Sequence, residues 1–155
     1  MITFEPLKHN NDIQELIKST FDMDLAISGG WGYTQDDATI IEALAEGMPL
    51  KQLQHILTSI RAHLEMNITQ TPENRYGGIN ANERSREEDK VQENIYDEVQ
   101  YEITGIKEDL YTAFIKEYKA GYGKETFDMA AHFEKRKEAT LTREIVHYFE
   151  VSHCK

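Results

Sequence analysis

A chain of 155 residues and 18.0 kDa, with 39% hydrophobic, 10% aromatic and 29% charged residues, fits one soluble globular domain rather than a disordered or membrane-embedded one. Seventeen basic against twenty-eight acidic residues give a formal net charge of −11, which disfavours direct binding to nucleic acid or an anionic membrane and favours a basic partner. No run approaches the ~18 apolar residues of a membrane span. Met1–Glu5 lacks the basic end and apolar run of a secretory signal, and with Cys154 as the single cysteine no disulfide can form within the chain, so the compartment expected is the cytoplasm.

Taken in order, Ile2–Phe4 reads as a short strand stopped by Pro6. Ile13, Leu16, Ile17 and Phe21 recur at helical spacing, with Asn10 or Asn11 as cap. Leu25, Ala26 and Ile27 suggest a strand entering Gly29, Gly30, Trp31 and Gly32. Thr34 then resembles a helix N-cap, with Asp36 and Asp37 at the positive end of the dipole and Ile40, Ile41, Leu44 and Ala45 as the buried side. Gly47 and Pro49 separate that helix from the next. The next has the clearest pattern in the chain: Leu50, Leu53, Ile56, Leu57, Ile60 and Leu64 form an apolar stripe, and Lys51, Gln52, Gln54, Ser59 and Arg61 are expected outward. His55 and His63 lie two turns apart, too far for one metal.

The segment 70–94 is polar and reads as a long, mobile loop or a charged, partly exposed helix. Val99, Tyr101 and Ile103 alternate with Gln100, Glu102 and Thr104 as in a half-buried strand. Ile106–Ala120 returns to helical period. Glu125–Lys137 follows with Phe127, Ala130, Ala131 and Phe133 inward and a basic last turn, Lys135–Lys137. Ile145, His147, Phe149 and Val151 end the chain as a strand. The fold class is therefore α+β: about five helices packed around a small, mainly antiparallel sheet, as a single domain over 1–155, with Val99–Thr104 beside Thr142–Val151.

The chemistry is concentrated in the loop around Trp31, the only tryptophan. Its glycines before a helix superficially suggest a phosphate cradle. The loop lacks a phosphate-binding lysine, however, and Asp36 and Asp37 occupy the end where phosphate charge would sit. Either the ring is buried and pins a turn, or it is a recognition surface. Asp22, Asp24, Asp36 and Asp37 offer oxygen ligands to a hard cation, but their spacing matches no metal motif. No nucleophile elbow, Cys–His pairing or zincin spacing occurs, so neither catalytic residues nor a cofactor is expected. The first fifty residues hold nine acids against two lysines, so much of the charge excess lies around this loop.

The stretch Ile27–Ile41, ISGGWGYTQDDATII, in a short acidic chain resembles bacterial immunity proteins of contact-dependent growth inhibition and related polymorphic toxin systems. The resemblance implies a cytoplasmic antidote that binds a cognate toxin domain, often a nuclease such as an RNase, and blocks its basic active-site surface, with no catalytic residues of its own. Partner-binding residues are then Asp22, Asp24, Asp36 and Asp37 for steering and Trp31 and Tyr33 as aromatic anchors. The competing reading is a small cytosolic enzyme or metal-binding domain built on the same four acids.

Overall fold

The structure, a computed structural model, describes residues 4–7 and 12–154. The expected strand at Ile2–Phe4 and the Asn10 or Asn11 cap fall outside or at the edge of these residues. The first helix, α1 (Ile13–Phe21), is capped by Asp12, whose carboxylate accepts from the Gln14 amide at 2.9 Å.

Five strands form one sheet in the order β1-β2-β5-β4-β3, where β1 is Ile27–Gly29, β2 Thr39–Ile41, β3 Tyr76–Val91, β4 Asn94–Lys107 and β5 Thr140–Glu150. All neighbours are antiparallel except β2 with β5. The central strands β4 and β5 are neighbours as expected, and their register sets Val99 opposite His147 and Ile103 opposite Arg143. Buried residues Val99, Tyr101, Ile103, Ile145, His147 and Phe149 share the inner face. Helix α2 (Leu50–His63) lies across this face and runs on as a single π-helical segment, Leu64–Ile68. Ile13 and Ile17 of α1 join the same core.

Three expectations are corrected. The helix proposed after Thr34 is one 3-10 turn, Gln35–Asp37, followed by β2. Thr34 caps that turn, its hydroxyl accepting from the Asp37 amide at 3.2 Å, but Thr39, Ile40 and Ile41 are β-branched and are taken up between β1 and β5. The polar segment 70–94 contains β3, sixteen residues long. It shows no apolar alternation because it is an edge strand on which only Tyr76 and Ala81 are buried, and its charges protect the edge from pairing with another chain. On α2, Gln54 and Arg61 point inward, not outward: Gln54, Thr58, Arg61 and Glu65 form a second, polar stripe that is fully buried beside the leucines.

The chain has four α-helices among the described residues. The last two, α3 (Glu108–Gly121) and α4 (Met129–Ala139), pair with each other at one end of the sheet. Their shared contact is a ring cluster in which Phe114, Tyr118, Phe127 and Phe133 surround His132, with centroids 5.3–5.9 Å from it. The inward residue of α4 is therefore His132, whereas Ala130, Ala131 and Phe133 are exposed. No helix of the described residues is long and apolar enough to cross a membrane.

Candidate functional site

The Gly-Trp loop closes the β1–β2 hairpin, and its ring is inside. Trp31 is 3% exposed and belongs to the core. It is the pin of a turn and not a surface anchor, which corrects its assignment to partner contact. The turn is tight enough to exclude side chains. A Cβ on Gly30 would lie 1.8 Å from Asp37 Oδ1, and one on Gly32, whose φ is +80°, would lie 2.2 Å from the His147 ring.

Below the loop, Arg61 donates to the carbonyls of Trp31, Gly32 and Val146 at 3.3, 3.4 and 2.9 Å, binding the loop to β5. Its guanidinium lies 4.0 Å from the Tyr33 ring centroid and its Nε 3.5 Å from Glu65 Oε2. Burial lowers the Arg61 pKa, and the Glu65 charge opposes that shift. Glu65, 1% exposed, also accepts from Arg143 at 2.9 Å and from the Tyr33 hydroxyl. The Tyr33 oxygen in turn accepts from the Leu7 amide at 2.9 Å. Burial, then the Glu65 carboxylate, raises the Tyr33 pKa, so the phenol stays protonated and donates. Tyr33 is accordingly committed to the interior on three sides.

His147 lies one strand position away, 1% exposed, stacked on Phe149 with centroids 4.0 Å apart. Its Nε2 is 2.9 Å from the Thr39 hydroxyl and its Nδ1 2.9 Å from the Thr58 hydroxyl. Thr39 donates its one proton to the Gly30 carbonyl at 2.7 Å, so it accepts from His147 Nε2–H, and Nδ1 accepts from Thr58. The neutral imidazole is thus fully satisfied. Burial, and secondarily Arg61, depresses its pKa well below 6.5. Because the folded value lies below the unfolded one, the stability this group contributes is fully present above pH 6.5 and is lost as pH falls. The slope approaches ~1.4 kcal/mol per pH unit. The expected result is a urea midpoint that declines between pH 6.5 and 5 more steeply in the native protein than in His147→Gln; equal slopes would contradict the assignment.

The four acids do not converge. Asp22 ends α1 in a left-handed conformation and is exposed, Asp24 is exposed, and Asp36 is exposed on the 3-10 turn. Asp37 is used internally, accepting from the Tyr33 amide at 3.3 Å. No group of three or more His, Cys, Asp or Glu suited to a metal occurs among the described residues. The gathered acid site of the enzyme or metal-binding reading is therefore not formed by these side chains.

What the structure assembles instead is the outer face of the sheet. Residues opposite one another in the register share a face, so Glu87, Glu98 and Tyr148 form one row, Glu102 and Glu144 another, and Asp89, Tyr96 and Glu150 a third, with Gln100, Ser85 and Val146 between. Six carboxylates stand on these positions. Among the described residues, the one base carried there by the strands themselves is Arg84, the extra residue of the bulge between Glu83 and Ser85; Arg136 and Lys137 of α4 line the overhung end. A hollow of about 290 Å³ opens in the middle, lined by Arg84, Gln100, Glu144 and Val146 with the backbone-neighbouring Tyr101 and Ile145. Helices α3 and α4 overhang only the end near Asn80, Thr104 and Thr140. Elsewhere the face is half-buried or exposed. Gln35 hydrogen bonds Asp89 at 3.2 Å, which brings the 3-10 turn bearing Asp36 to the tip of the β3–β4 hairpin.

The sequence carried half of this signal. Glu102, Glu144, Tyr148 and Glu150 are the alternate positions of two recognisable strands, but only their antiparallel pairing makes them one surface. Comparison with protein-family models, curated proteins and solved structures finds no match.

Proposed function

We propose that this chain is a cytoplasmic immunity protein, an antidote that binds a cognate toxin domain, a nuclease of the RNase type, and covers its basic active-site surface. One observation supports the reading above others: beyond the end that α3 and α4 overhang, the central strands leave their outer face without a covering layer, and carboxylates and tyrosines predominate on it. An enzyme that cleaves phosphodiesters presents cations to its substrate, so an acidic sheet can steer onto it and exclude that substrate. Tyr96 and Tyr148 supply aromatic contact area that Trp31, being internal, does not. The loop acids Asp22, Asp24 and Asp36 extend the negative field, while Tyr33 and Asp37 hold the scaffold.

The test is the reading frame immediately upstream. Its C-terminal domain, produced alone, arrests growth, and coproduction of this chain restores it with one-to-one copurification. A metabolic operon at that position, with substrate turnover by the purified protein, would replace this reading with the enzymatic one.

A further inference from the structure

Resting on the toxin-binding reading, we infer that the uncovered sheet face receives arginine side chains of the partner at its two cross-strand glutamate pairs, with the hollow beside Glu144 as the anchoring position. Glu87 stands directly opposite Glu98, and Glu102 directly opposite Glu144. Like charges in such positions destabilise a sheet. The strands cannot slide to relieve them, because the inner face fixes the register and a one-residue slip would turn Val99, Tyr101, Ile145 and Phe149 outward.

The same chain neutralises its acids where they are inside. Asp97 lies 3.5 Å from Arg86, and Glu65 has Arg61 and Arg143. Among the described residues Glu87, Glu98, Glu102 and Glu144 have no such ion pair. On the inner side, where Glu88 stands opposite Asp97, Arg86 lies beside Asp97; the two glutamate pairs on the outer face have no cation of that kind, at a cost to stability of the kind that functional surfaces bear. A guanidinium placed between two carboxylates removes the repulsion on binding, and its planar fork suits two acceptors better than an ammonium. The hollow offers Val146 for the aliphatic stem and Glu144 for the head, beside Gln100, whose amide oxygen accepts from the Ser85 hydroxyl at 3.0 Å. Arg84 is the one cation lining the hollow, so it competes with an incoming cation.

The probes are hepta-arginine and hepta-lysine peptides, titrated into the full chain and followed by calorimetry and by amide chemical shifts. Hepta-arginine is expected to bind more tightly than hepta-lysine and to shift Gln100, Glu102, Glu144 and Val146. Glu102→Gln with Glu144→Gln should weaken binding about tenfold while raising Tm by about 2 °C. Arg84→Gln should tighten binding severalfold. Glu15→Gln with Glu46→Gln, equal in charge but on exposed positions elsewhere, should change Kd less than about twofold. Shifts spread over the N-terminal acids, an equal effect of the control pair, or a lower Tm in the Glu102/Glu144 variant would overturn the docking site. If the face binds the peptide but coproduction fails to protect cells, the toxin reading falls and the docking site stands. If the Glu102/Glu144 variant protects as well as the native chain, the docking site falls and the toxin reading stands.

Discussion

Glu65→Ala is expected to lower stability by about 3–5 kcal/mol, because it leaves the guanidinium of Arg61 buried with its neutralising partner gone and deprives the Tyr33 hydroxyl of its acceptor. For a chain of this length that corresponds to a fall in Tm of about 6–20 °C. Arg143 contributes less to the loss, since it is 19% exposed and can turn to water. The companion Arg61→Met/Glu65→Met variant should be less destabilised than the sum of its two single variants, since removing both charges also removes their desolvation cost, while the Trp31, Gly32 and Val146 carbonyls lose their donor and the Tyr33 hydroxyl its acceptor. Thermal unfolding of these variants side by side decides the matter. A Glu65→Ala variant within about 1 kcal/mol of the native protein would mean that the carbonyl contacts of Arg61, and not its ion pair, hold the loop.

Trp31→Ala should be comparably damaging, about 3–5 kcal/mol, through loss of buried area and the cavity left behind the loop. As the only tryptophan, Trp31 also reports its own environment. Native fluorescence is expected to be blue-shifted and to move to the red on unfolding in step with the loss of secondary structure. At a temperature where the variant is still folded, its association with a partner should be little changed, because the ring does not reach the surface. A stable Trp31→Ala protein with a faster dissociation rate would return the ring to the interface.

The legible parts of this fold were those with an apolar period. α1, α2, β4 and β5 each bury one face, so their sequences alternate or recur as the geometry demands. β3 was illegible because a charged edge strand has no such face, and its partner, not its own composition, makes it a strand. β2 was taken for helix because Thr34, Asp36 and Asp37 are a true cap, but of a single turn. On α2 and the turn after it the hidden feature was chemical: Gln54 and Arg61 read as a solvated side, yet with Thr58 and Glu65 they meet Asp97, His147, the Val146 carbonyl and Arg143 across the sheet. No single-chain pattern distinguishes a polar stripe facing water from one facing polar partners supplied by distant strands. The site was legible in sign only. Excess acid was visible, while its arrangement depended on three strands meeting in register.

The most direct measurement is carboxyl footprinting by carbodiimide-mediated amidation, read by mass spectrometry, on this chain alone and in complex with the upstream-encoded toxin domain. Protection of Glu98, Glu102 and Glu144, with Asp22, Asp24 and Glu46 labelled as before, is the predicted result. Unchanged labelling of the outer face, with protection confined to the N-terminal acids, would contradict it.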